Sequence, residues 1–140
     1  MKAHLSRRYH FSSSHRLNNP DMSAEENLFT YGKCNNPHGH GHNYILEVTV
    51  SGPVDPHTGM VCNLVDLDTF VEREVISRYH LENLNTLQEF TQNVPTTENL
   101  SVEIFEILQR GFHHSHLERV KLEETMMNSF EYAGTAEPSK

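Results

Sequence analysis

Residues 35–44 read NNPHGHGHNY, and their reading decides the rest. Pro37 and the glycines at 39 and 41 argue against a helix, because proline removes a backbone donor and glycine loosens the chain. The following residues, YILEVTVS at 44–51, carry the β-branched and aromatic types that suit a strand. A strand is therefore expected over about 40–51. Alternate residues of a strand share a face, so His42, Tyr44, Leu46, Val48 and Val50 line one side, and His40 continues that row. His38 has the same parity and is a rival for whatever the other two histidines do.

Upstream, Tyr9, Phe11, Ser13 and His15 also share one parity, which gives a first strand with an inward face. Between the two strands lies the excursion RLNNPDMSAEENLFTYGKCNNPH, residues 16–38. A loop of that length in a compact domain is functional or carries minor structure. Downstream, SGPVDPHTG is turn chemistry. Leu64, Leu67, Phe70, Val71, Val75 and Tyr79 then follow helical spacing. A second helix starts at PTTENL, with Thr96 or Thr97 as N-cap and Glu98 in the first turn. Its apolar stripe is Leu100, Ile104, Ile107 and Leu108, and Gly111 ends it. RVKLEET and SFEYAG, with MMN between them, read as a closing hairpin. The order ββααββ predicts an α+β domain, an antiparallel sheet with two helices on one face. One domain over residues 1–134 and a disordered tail over 135–140 are expected.

Composition narrows the function. The chain has 140 residues and a formal net charge of −8, which speaks against a nucleic-acid surface or an anionic membrane. Lys2, Arg7, Arg8, Arg16 and Lys33 are a local exception, set against three acids in the first 33 residues. They form either an anion pocket or a solvated face. The two cysteines, Cys34 and Cys62, are too few for a disulfide framework, and no apolar run is long enough to span a bilayer. The N-terminus lacks an apolar leader segment, so a reduced, cytoplasmic protein is expected.

Eleven histidines are the compositional oddity. His40 and His42 point to one side of their strand. Antiparallel pairing brings His15, at the far end of the first strand, beside them. Three neutral imidazoles on a rigid sheet suit Zn²⁺ with an open fourth position, although an HxH pair alone is as often hydrogen-bonded histidine. HHSH at 113–116 reads as a loop. Glu47 after HxH evokes a cupin site, but its parity faces away from the histidines and the helices break an all-β pattern. Cys34, six residues before His40, lies in a polar loop beside this centre, where a thiolate and a nucleophile or base are expected. Cys62, in GMVCNLV, reads as packing.

FSSSHRL with His15, YGKCNNPHGHGHNY with Cys34, His40 and His42, VDPHTGMVCNLVDL, PTTENL, and KLEET with Glu124 together resemble the 6-pyruvoyl tetrahydropterin synthases over nearly the whole chain. The resemblance implies the tunnelling fold and homo-oligomers, commonly hexamers, with pockets at subunit boundaries. It assigns zinc to His15, His40 and His42 and leaves His38 out. It makes Cys34 the proton-abstracting residue and Glu124 the anchor of the pterin ring. It sets Thr96, Thr97 and Glu98 in the pterin pocket. The implied reaction converts 7,8-dihydroneopterin triphosphate to 6-pyruvoyl tetrahydropterin with loss of triphosphate. One segment departs from the pattern. Where the family carries Asp-His, this chain has SRYHLENLN; the Asp is absent, and His80 is the remaining candidate proton donor. That departure keeps a 6-carboxytetrahydropterin synthase, a side-chain-cleaving relative and a non-catalytic zinc- or pterin-binding protein as alternatives. A zinc hydrolase needing neither Cys34 nor Glu124 is a weaker one.

Overall fold

A long hairpin organises the molecule. In the computed structural model, which describes residues 2–135, strand β1 spans Ala3–His15 and strand β2 spans His40–Gly52. They pair antiparallel from Ala3↔Gly52 to His15↔His40, so the two histidines close the open end of the pair. The alternation read from the sequence holds. Tyr9, Phe11, Ser13 and His15 are buried on β1, as are Tyr44, Leu46, Val48 and Val50 on β2. The first strand starts earlier than its apolar residues indicate because its N-terminal half is half-solvated and polar.

The 16–38 excursion is not structureless. Helix α1, Ala24–Tyr31, starts at Ser23, whose side chain accepts from the Glu26 amide while the Glu26 carboxylate accepts from the Ser23 amide. SAEEN at 23–27 carries the S-x-x-E spacing of that capping box. A 3-10 turn over Gly32–Asn35 then carries Cys34 back to the sheet.

The predicted 64–79 helix forms in three pieces: α2 over Leu64–Val71, a π turn over Glu72–Ile76, and α3 over Ser77–Tyr79. Asn63 caps it by accepting from the Val65 amide. The widened turn keeps both Val75 and Ile76 covered along with Leu67, Val71 and Tyr79. Strand β3, Glu82–Asn83, was not anticipated. It pairs parallel with Ser13 and Ser14 of β1, so the sheet is mixed rather than purely antiparallel. Two residues carry no readable periodicity.

Helix α4, Thr97–Gly111, has Thr96 as its N-cap and buries Thr97, Leu100, Ser101, Ile104, Phe105 and Leu108. Gly111 lets the Phe70 ring pack close to the helix, since a Cβ there would lie 2.6 Å from that ring and force it to shift. Strands β4, His116–Thr125, and β5, Asn128–Tyr132, close the sheet in the order β3-β1-β2-β4-β5. The core lies between the inner face of the sheet and the helices, with Val120 and Leu122 of β4 facing Ile104 and its neighbours. Cys62 is buried within it, as packing requires. Most of the proposed tail, residues 136–140, lies outside the described residues. Among the described residues no helix is long and apolar enough to cross a membrane.

Candidate metal centre and pterin pocket

The strand register decides the centre. Ser13 faces His42 and His15 faces His40 across the β1–β2 pair, so three imidazoles of one parity converge on the inner face. His15, His40 and His42 each offer a ring nitrogen within 4.8 Å of the other two. His15 Nε2 and His40 Nε2 are 3.1 Å apart. His15 is buried, and its Nδ1 lies 2.8 Å from the carbonyl oxygen of Pro95. A carbonyl only accepts, so Nδ1 carries the proton and Nε2 keeps its lone pair for the centre. Burial holds His15 and His42 below the ordinary imidazole range, which keeps them neutral, the form a metal needs.

The residues fit a metal ion on one observation in particular. His42 Nε2 is buried and has no hydrogen-bond partner, a costly state for a ring nitrogen unless something binds it. Three convergent imidazole nitrogens are the donor set of a zinc-type site. His38 is exposed in the loop before β2 and does not join the cluster. His113 and His114 stay in the loop before β4, while His116 begins that strand; none joins the centre. Glu47 points away from the centre and pairs with Arg8, as its parity required.

Glu124, near the end of β4, faces this centre. Its Oε1 is 3.5 Å from His42 Nε2 and 3.7 Å from His15 Nε2. Thr97, the first residue of α4, donates its hydroxyl to Glu124 Oε1 at 2.8 Å, and Asn128 Nδ2 donates to Oε2 at 3.0 Å. Burial alone would raise this carboxyl. The bonds from Asn128 and Thr97 and the two histidines outweigh it and hold Glu124 below the usual carboxylate range. A carboxylate has roughly four lone-pair positions, so Glu124 can still accept from a ligand. Thr96 spends its side chain on the helix cap, accepting from the Asn99 amide. Glu98 is exposed in the first turn. Of the TTE segment, Thr97 alone touches Glu124 through a side-chain bond.

Cys34 is a free, half-buried thiol on the 3-10 turn. Its carbonyl accepts from the Leu17 amide, which ties the turn to the end of β1. One expectation is corrected here. Burial, and then the Glu124 carboxylate, push the Cys34 thiol above its ordinary value rather than below it. The sequence showed the polar loop but not the carboxylate folded against it.

His80 does not join this group within one chain. It caps α3 on the outer edge of β1, where its Nδ1 accepts from the Ser12 amide at 3.1 Å. Ser12 also accepts from the Leu81 amide at 2.6 Å. Leu81 has φ of 60° and is exposed, a left-handed conformation unusual for a leucine. No local signal in YHLEN announced it.

An α+β sheet thus carries three convergent histidines, a carboxylate braced from two elements and a half-buried thiol, the residue set of a candidate metal centre. The family profile described as 6-pyruvoyl tetrahydropterin synthase matches residues 4–135. A protein of Homo sapiens named 6-pyruvoyl tetrahydrobiopterin synthase is 46% identical over 134 residues, covering 95% of this chain and 92% of that protein. The Drosophila melanogaster protein of the same name is 45% identical over 134 residues, covering 94% of this chain and 80% of that one. The solved structure of Caenorhabditis elegans 6-pyruvoyl tetrahydropterin synthase superposes with a TM-score of 0.92 at 38% identity, covering 96% of this chain and 97% of that chain. This chain belongs to the 6-pyruvoyl tetrahydropterin synthase family, and its fold is the tunnelling fold.

Proposed function

We propose that the protein is a 6-pyruvoyl tetrahydropterin synthase, a lyase that converts 7,8-dihydroneopterin triphosphate to 6-pyruvoyl tetrahydropterin and eliminates triphosphate. The observation that carries the reading is the convergence of His15, His40 and His42 opposite Glu124, with Cys34 alongside, in a chain similar to synthases over nearly its full length. We propose zinc as the ion, on the donor set, and a homo-oligomer of hexamer size in the cytoplasm.

In this reading Glu124 accepts hydrogen bonds from the guanidine-like edge of the pterin, and Thr97 fixes the carboxylate that does so. When bound by the three histidines, zinc would hold the side-chain hydroxyls, acidify the neighbouring C–H bonds and offset the carboxylate that raises Cys34. Cys34 then removes the carbon-bound proton as thiolate, a role worth roughly two to four orders of magnitude. His80 returns a proton. In this reading it acts where two subunits meet, a reading supported by its place beside Ser12 of β1 rather than among the three histidines. The missing Asp of the family pair leaves Ser12 as the group that orients this imidazole.

The test is incubation of the zinc-loaded protein with 7,8-dihydroneopterin triphosphate, with products identified by mass spectrometry and Cys34→Ala run in parallel. A pyruvoyl pterin and free triphosphate, lost in the variant, are expected. A 6-carboxy or side-chain-cleaved pterin would assign a sister activity instead. Unchanged substrate on zinc-loaded protein would leave a binder.

A further inference from the structure

Five basic residues crowd the first 33 positions of an acidic chain, and the structure separates them. Lys2 pairs with Glu118 at 2.8 Å, Arg7 with Asp68 at 2.9 Å and Arg8 with Glu47 at 3.2 Å. These three have their charge met; Lys2 precedes β1 and both arginines lie well down it, Arg7 being eight residues, or about 26 Å of strand, from His15. Lys33 projects from the exposed side of the 3-10 turn. Arg16 differs from all of them. It follows the metal-centre residue His15 directly, is half-buried, and has no carboxylate partner among the described residues.

Arg16 is also held in place. Its Nε donates to the Asn35 carbonyl at 3.1 Å, which leaves both terminal guanidinium nitrogens uncommitted. Asn85 grips its backbone from both sides, accepting from the Arg16 amide at 2.7 Å and donating to its carbonyl at 2.8 Å. A cavity of about 280 Å³ opens there, lined by Ser14, His15, Arg16, His38, Asn83 and Asn85 among others. Its walls carry hydroxyl, amide, imidazole and guanidinium groups and not one carboxylate, although the chain has 19 acidic residues. That is a basin for an anion. It is smaller than the roughly 300–1,000 Å³ that whole small-molecule ligands occupy, so it suits one arm of a substrate.

The strand register gives the order of subsites. Ile45 faces Glu123, so Glu124 lies level with Tyr44; His42 and then His40 follow toward the open end of the hairpin, and Arg16 and His38 stand beyond it. A ligand whose ring lies on Glu124 and whose side chain crosses the three histidines therefore presents its far end to Arg16. We propose that this basin holds the triphosphate tail of the substrate, with Arg16 as its principal cation and Asn85 as the residue that positions Arg16. The inference rests on the function proposed above. Guanidinium suits it because its fork of donors matches phosphate oxygens two at a time.

The experiment measures equilibrium binding of 7,8-dihydroneopterin with and without its triphosphate to the zinc-loaded protein, in a Cys34→Ala background that blocks turnover. Metal content is assayed after each titration. Arg16→Gln is expected to weaken the triphosphate ligand roughly 10- to 100-fold and to leave the unphosphorylated pterin within about twofold. Arg16→Lys should recover part of that loss. Its thermal unfolding provides the folding control. Equal loss for both ligands, or no loss for either, would overturn the subsite. Inorganic triphosphate serves as a third probe. If the parent protein binds it through Arg16 but binds neither pterin, the anion basin stands and the pterin reading fails.

Discussion

Thr97 Oγ1 and Glu124 Oε1 lie 2.8 Å apart and join the first turn of α4 to the end of β4. Thr97 is 2% exposed, so its hydroxyl has no solvent alternative. Thr97→Val keeps the shape and removes the donor to Oε1, leaving the carboxylate held by Asn128 through Oε2. The expected result is a KM raised roughly 5- to 20-fold with kcat changed less, from a lost charged hydrogen bond of about 1.5–3 kcal/mol partly replaced by water. Metal content should be unchanged. Steady-state kinetics with metal analysis checks both, and an unaltered KM would separate Thr97 from substrate positioning.

His42 Nε2, buried and without a partner, points into the centre. His42→Ala is expected to lower zinc occupancy below that of the parent by at least tenfold after dialysis against a weak chelator. Because the variant also removes the unsatisfied nitrogen, the metal-free protein should unfold no more readily than metal-free parent. Elemental analysis and denaturant unfolding test this pair. Full zinc occupancy in the variant would remove His42 from the ligand set.

Cys34 and His80 do not meet within one chain. Cys34→Ala and His80→Ala are each expected to lose activity, roughly 100- to 10,000-fold for Cys34. Mixing the two inactive proteins under conditions that exchange subunits should restore turnover, because some boundaries then hold an intact Cys34 opposite an intact His80. If mixtures stay inactive after exchange is verified by mass spectrometry, His80 does not act across the boundary.

Leu81 holds φ of 60° with its side chain exposed to 77%. Glycine adopts that backbone without the Cβ clash, so Leu81→Gly should gain about 1 kcal/mol of folding stability. Urea unfolding measures it. A loss of stability would mean that the leucine side chain contributes more than its strained backbone costs.

Glu89 accepts from Arg78 at 2.7 and 2.8 Å and from the Tyr79 hydroxyl at 2.8 Å, fastening α3 to the connection before α4. Burial alone would raise its carboxyl, but these bonds overcome that and hold it below the usual range. A carboxyl depressed in the folded state stabilises above its unfolded value and loses that contribution as pH falls through the folded one. Stability should therefore decline as pH drops below about 4.5, the region of an unperturbed glutamate. Glu89→Gln should be less stable at pH 7 and show a shallower decline between about pH 5 and pH 3. Unfolding midpoints across that range decide it.

Much of the centre was written in the chain because parity is local. Pro37 and two glycines argue against a helix in NNPHGHGHNY, and histidines at even spacing on the strand that starts at His40 share one face. The pairing of His15 with His40 followed once the two apolar runs were set antiparallel. Thr96 marked the start of α4 through ordinary capping chemistry, while Gly111 falls at its last residue, with Phe112 as the C-cap. Strand parity and helix capping depend on residues within a turn or two of each other, whereas the His15–His40 pairing rests on the antiparallel arrangement of two separate runs. The sequence by itself therefore determined the order of the four long strands and the two main helical segments, the inward face of the first two strands and the common side of the three histidines.

What the tertiary structure alone decided are the relations between groups far apart in the chain. Pro95 fixes the His15 tautomer across 80 residues, and Thr97 grips Glu124 across 27. Burial, and then the nearness of Glu124, reverse the expected direction of the Cys34 shift, because desolvation and a carboxylate's field act through space and not along the chain. Of the five early basic residues, ion pairing removes three from service and leaves Arg16 facing a carboxylate-free basin. His80 is held to the edge of β1 by an amide 68 residues away. Electrostatic and hydrogen-bonding energies fall off with distance in space, so no periodicity in the sequence could carry them.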